Sequence, residues 1–230
     1  MWRHILRRKR DSSRRGVSLP ELLVVAGIAS LVGSVVVALC HPMLSAAQAE
    51  HASLQEIQTM DSTLYRLQRD ARQTDPNGVF VCSGSGGALN CAQASSLTTP
   101  TDVSCLALLT ARPNDTGRTS WDANGRPAWV GFSVYWMNPD TVGTYTLMSG
   151  FGSANVPAGA NPAILNSDVI GAVNEAMSSA GAETVAPGIK EFQTMVDVST
   201  DRMVIRLVGQ NSNNGSTAEL SVEGDAYARN

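Results

Sequence analysis

Few side chains in this 230-residue chain are equipped for chemistry, and they are unevenly placed. The three histidines, His4, His41 and His51, all lie in the first 51 residues. A Ser-His-Asp relay or a His-ligated zinc site in the later region is therefore excluded. Lys190 is the single lysine beyond residue 16, and no nucleophile elbow surrounds it. Phosphate-cradling and dinucleotide-binding glycine motifs are missing. Asp168 and Glu175 are the kind of carboxylates that act in pairs, but solvated surface charge accounts for them better. Asp122-Ala-Asn124-Gly125 matches the start of a calcium loop but lacks the distal glutamate, so it reads as a turn. These residues predict no catalysis, no cofactor, no metal and no small-molecule substrate.

Glu21 is different. It stands before eighteen uncharged residues, 22–39, which are apolar apart from Ser30, Ser34 and small residues. Counted from Val17, the stretch before Cys40 is 23 residues, enough for a hydrocarbon core of ~30 Å at ~1.5 Å per residue. A carboxylate in such a helix costs on the order of 2–3 kcal/mol even on lenient insertion scales. That cost is offset where the acid meets a cation at low dielectric. Pro20 falls in the first turn, where its missing N–H breaks no helical bond. Gly27, Ser30, Gly33 and Ser34 recur at spacings of three and four. They permit close helix packing, and they are equally ordinary membrane-helix composition.

The net charge of −3 hides an asymmetry. Residues 1–16 carry seven basic groups against Asp11, a local charge of +6, which leaves ten basic and nineteen acidic groups, −9, over residues 17–230. The positive-inside rule keeps the cationic end cytoplasmic and sends the rest outward. The acidic remainder argues against nonspecific nucleic-acid binding, which relies on clustered Lys and Arg.

Arg14-Arg15-Gly16-Val17-Ser18-Leu19-Pro20-Glu21 resembles the class III signal of type IV pilins and type II secretion pseudopilins. The resemblance implies a leader that ends at Gly16 and is removed by a prepilin peptidase. It implies N-methylation of the new N-terminus, Val17, and an assembly role for Glu21, fifth after the cut. Glu21 would pair with the α-ammonium of a neighbour's Val17. Val17 departs from the family's usual Phe. Residues 67–73, Leu67-Gln-Arg69-Asp70-Ala-Arg72-Gln73, are similar to the end of the long helix in J-type pseudopilins and W-type minor pilins. The function implied is that of a minor pilin or pseudopilin, a structural subunit in filament initiation or at the tip. Its implied partners are other pilin or pseudopilin subunits, the peptidase and the inner membrane, with no nucleic acid. The implied location is single-pass in the inner membrane, leader inside and head in the periplasm or beyond.

A competing reading starts from Ser13-Arg14-Arg15, which resembles a twin-arginine export signal, and Ala47-Gln48-Ala49, which resembles a signal-peptidase site. The product would be a soluble binding or carbohydrate-active domain starting near Glu50. Against it stand an apolar run longer than a signal core, an acid inside that run, and a helical pattern that continues past residue 49.

The elements follow from periodicity. Leu54, Ile57, Met60 or Asp61, Leu64, Leu67 and Ala71 recur at three and four, so one helix is expected from Pro20 to about Gln73, kinked or locally melted at Pro42. Asp75-Pro76-Asn77-Gly78 ends it. Short β-like runs follow at 79–82, 105–110, 128–137, 144–148, 189–198 and 202–208, with a short helix at 166–180. The expected fold is α+β, a long helix packed on an antiparallel sheet in the pilin manner. Its parts are a cleaved leader (1–16), a transmembrane segment (17–41), an amphipathic continuation (42–75) and a globular β-rich head (76–230). In an oxidising compartment two of Cys82, Cys91 and Cys105 are expected to pair. Cys82–Cys91 closes the shortest loop around a Gly-rich turn and suits a cross-strand staple; the alternative is three buried thiols. Trp121, Trp129, Phe132, Tyr135 and Trp136 read as core plus a turn-packing Trp, in preference to an exposed subunit contact.

Overall fold

The computed structural model describes residues 18–84, 89–94, 97, 99, 101–112, 118–140, 143–157, 164–197, 200, 202–211 and 218–227. Helix α1 (Leu19–Ala71) is the first described element. It stays helical through Pro42, so the local melting expected there is not found. The chain divides into two compact units, one ending at His51 and the other running from Ala52 to Asn230.

In the first unit none of the described helix residues is buried. Leu22, Leu23, Ile28, Leu31, Val35 and Leu39 all expose half or more of their surface. Ser30 and Ser34 donate their hydroxyls back to the carbonyls of Gly27 and Leu31, each at 2.8 Å. That satisfies both polar groups within the helix, as an apolar surrounding requires.

The second unit is a nine-stranded antiparallel sheet with helix on both faces. Its strands are β1 (Val79–Ser83), β2 (Asn90–Gln93), β3 (Thr101–Asp102), β4 (Cys105–Thr110), β5 (Gly131–Pro139), β6 (Tyr145–Ser153), β7 (Glu183–Asp197), β8 (Arg202–Asn211) and β9 (Ala218–Tyr227). They run in the order β2-β1-β4-β5-β6-β7-β8-β9, and β3 pairs with β7. Helix α2 (Asn166–Ser178) lies between β6 and β7 in the chain. The architecture is α+β, as the periodicity predicts.

Strand β4 shows why the sheet needs two covers. All six of its residues are buried. Leu106 and Leu108 join the cluster containing Met60, Leu64, Leu67 and Ala71 of α1. Cys105, Ala107 and Leu109 join the cluster containing Val169, Ala172, Val173 and Ala176 of α2. Alternate residues of a strand point to opposite faces, so a continuous apolar run fits a strand covered on both sides. Each fully buried Leu stabilises by roughly 1.5–3 kcal/mol.

Polar contacts fix α1 across the sheet. The Tyr135 hydroxyl donates to Asp70 Oδ2 at 2.7 Å, and Gln68 Nε2 donates to the Asp225 carbonyl at 3.2 Å. Arg66 meets Glu183 at 3.1 Å, but both side chains are substantially exposed and such a pair adds little. On the other face Glu175 of α2 accepts the Ser153 amide at 2.9 Å and its hydroxyl at 2.6 Å. Gly152 of β6 faces the Ala172 backbone so closely that a Cβ there would collide with it. Small residues on β6 and α2 thus set how near the helix approaches.

Candidate functional site

The features able to serve function lie in different parts of the chain. Glu21 sits in the first turn of α1, just after Pro20. The first turn forms as the Leu22 amide donates to the Ser18 carbonyl at 3.1 Å. Free amides at a helix start favour a nearby carboxylate. Gly16 and Val17 lie outside the described residues. Beyond Glu21 the helix is long and apolar enough to cross a membrane, with none of its most apolar eighteen residues buried. Gly27 and Gly33 have open space where a Cβ would stand, so a neighbouring helix is free to approach the backbone there. The helix also runs without interruption through residues 47–49.

The structure joins Cys82 to Cys91 in a disulfide. The two are directly opposed in the β1–β2 ladder. Cys105 is directly opposed to Cys82 from the other side, in the β1–β4 ladder. The three sulfur residues therefore form one row over three neighbouring strands. Cys105 remains a free, buried thiol, and burial pushes its pKa up to about 12. It stays protonated at neutral pH and is a poor nucleophile. Cys40 is a free thiol exposed on α1.

The remaining chemically suggestive residues take structural positions. Asp122 Oδ1 accepts the amides of Asn124 at 2.9 Å and Arg126 at 2.7 Å, the self-bonded turn that its sequence suggests. Asp168 and Glu175 stand about two turns apart on α2, and Glu175 is engaged by Ser153. The aromatic cluster divides. Phe132, Tyr135 and Trp136 are core residues, Trp129 is half-buried, and Trp121 is 63 % exposed. Burial first, and then the charge of Asp70, raises the Tyr135 pKa.

A groove that the sequence did not reveal lies within the second unit, where the end of α1 meets the connection between β4 and β5. It has a volume of about 800 Å³. Tyr65, Trp121 and Trp129 contribute aromatic surface, and Arg69, Arg72, Arg112 and Arg126 contribute charge. A smaller adjoining hollow of about 390 Å³ shares Arg69 and Arg112 and reaches Ser149. The signal that was available is the confinement of six of the ten basic residues after residue 16 to 66–72 and 112–126. Chain separation concealed that these segments adjoin. Compared with protein-family models, curated proteins and solved structures, the chain matches none of them.

Proposed function

We propose that this chain is a minor pilin or pseudopilin, a membrane-held structural subunit without catalysis of its own, acting in filament initiation or at the tip. The observation that carries the reading is the make-up of α1. A single helix begins with Glu21 in its first turn and presents an unpartnered apolar surface over its first half. Its second half belongs to an antiparallel α+β body.

The physical account is one of transfer from lipid to protein. An apolar helix in a bilayer gains little from meeting another apolar helix, because lipid tails are equally apolar. Direction must come from a polar pairing. Glu21 supplies the anion, and the free α-ammonium of Val17 in a neighbouring subunit supplies the cation once the leader is cut after Gly16. The pair fixes axial register as the apolar helices gather. Other pilin-like subunits, the prepilin peptidase and the inner membrane are the partners this reading requires.

The second reading, a soluble domain released after Ala49, draws on the boundary at His51, because the second unit holds its own core. The uninterrupted helix through that point and the acid at residue 21 favour the first. N-terminal sequencing of the mature protein decides between them. Val17 is the expected first residue; Glu50 would overturn the reading. Bulky substitutions at Gly16 are expected to leave an uncut, membrane-held precursor.

A further inference from the structure

We propose that the groove between the end of α1 and the β4–β5 connection is a docking site for an acidic segment of a partner protein. A partner carboxylate would meet Arg112, and a flat or apolar side chain would rest against Trp121 and Tyr65. The inference goes beyond the filament reading and does not rest on it, because every lining residue belongs to the second unit.

Charge complementarity comes first. The chain after residue 16 carries −9, yet the groove gathers Arg69, Arg72, Arg112 and Arg126. The nearby acids are already engaged. Asp70 holds Arg69 and the Tyr135 hydroxyl, Asp75 accepts the Asn77 amide at 2.9 Å, and Asp122 accepts two turn amides. Among the described residues, Arg72, Arg112 and Arg126 enter no ion pair. A basic groove held within an acidic surface attracts an anion at short range and is otherwise screened.

Two orphaned donors then specify the anion. Arg112 Nε and Ser149 Oγ are buried without a hydrogen-bond partner, and both residues line the smaller hollow. A buried polar atom left unpaired is costly, and such exceptions in a folded protein mark a missing partner. The guanidinium donates only, and the serine hydroxyl is free to donate. Both call for an acceptor; a carboxylate only accepts, and Arg is the residue best shaped for it.

The aromatics indicate the rest of the occupant. Tyr65 is 69 % exposed and Trp121 is 63 % exposed. Trp, Tyr and Arg together are the side chains on which binding energy concentrates at protein interfaces. A nucleic acid is the less fitting occupant, because its affinity grows with the number of phosphates neutralised. Three unpaired arginines in a second unit whose sequence carries −7, ten basic against seventeen acidic groups, provide few such contacts. An acidic peptide needs one or two.

The test uses the full-length chain in detergent. A fluorescein-labelled oligo-glutamate peptide interrupted by phenylalanine is titrated by anisotropy, with oligo-dT and oligogalacturonate as competitors. Saturable binding is expected that neither competitor displaces at equal charge concentration. Arg72→Glu, Arg126→Glu and Trp121→Ala lie at exposed positions and should each weaken it about tenfold. Arg206→Glu, on the far strand β8, should leave it unchanged. Arg112→Lys, which keeps the charge and loses the Nε donor, should weaken it as well. Absence of peptide binding overturns the proposal. So does binding that Arg72→Glu and Trp121→Ala leave intact. Tighter binding of oligo-dT or of oligogalacturonate than of the peptide overturns it in favour of a polyanion site. Self-association of the chain that the same variants abolish overturns it in favour of a second copy.

Discussion

The two halves of α1 share one backbone and opposite fates. From Leu19 to Leu44 the helix exposes apolar side chains on every side; from Met60 to Ala71 it buries one stripe against the sheet and leaves Tyr65 and Arg69 outward. A helix is stabilised chiefly by what its apolar face meets. The second half finds that partner within its own chain. Among the described residues the first half has none, and it is long and apolar enough to cross a membrane. The stripe repeats every three to four residues where one face is buried, and disappears where the whole circumference is apolar.

Four measurements would break or sharpen this contrast. The largest effect is expected for Glu21→Ala. Crosslinking to filament partners in membranes should be lost, while the melting temperature of the body is unchanged and insertion is unimpaired or improved. Wild-type incorporation would remove the pairing role and leave Glu21 as a helix-start acid. Next, Leu67→Ala should cost the body about 2–5 kcal/mol in denaturant unfolding, whereas Val32→Ala, on the unpartnered half, should leave that transition in place. Equal losses would mean that the halves are not independent. Third, Cys82→Ser should lower body stability by roughly 2–3 kcal/mol, the value for so short a closed loop. Non-reducing mass mapping should link Cys82 to Cys91 and leave Cys105 alkylatable only after unfolding.

The smallest effect is a pH dependence. Burial raises the Cys105 pKa from 9.0 to about 12. The folded state thus holds a proton that the unfolded chain releases between those values. Stability from this group is full below pH ~9 and declines as pH rises toward ~12. Tyr135, also raised, acts in the same direction. Cys105→Ala should flatten part of the alkaline decline in a thermal melt series; an unchanged slope would assign the decline to Tyr135 alone.

Much of the body was legible because its elements obey simple periods. β4 falls on 105–110 as its apolar run predicts, and α2 ends two residues before the expected limit. β7 starts at Glu183 rather than 189. The strand accommodates Pro187 and Gly188, with positive φ at Gly188 and an irregular register near Ile189. β9 was missed although Ala218 to Tyr227 alternates apolar and polar residues, because Ala and Gly224 dilute the signal. β2 carries too few apolar residues to be seen at all. The disulfide was legible in part: Cys82 opposes both Cys91 and Cys105, and strand spacing alone does not rank the two. The place of Glu21 in the first turn of α1 was legible from Pro20 and the apolar run that follows. The groove was illegible, since sequence order does not say that residues 65–75 and 110–129 form one surface.

The position of the disulfide in the sheet carries one more consequence. β2 lies at one end of the strand order and β9 at the other. A terminal strand of four residues has the weakest hold on its neighbour and exposes backbone groups that a foreign strand is able to copy. The Cys82–Cys91 bond fastens that strand to β1 covalently. Peeling of the sheet is thereby resisted at the β2 margin, whereas β9 is held to β8 by its ladder and by the Arg202–Asp225 pair at 2.7 Å. One margin is held covalently and the other only by hydrogen bonds and an ion pair, so loosening of the sheet begins at β9.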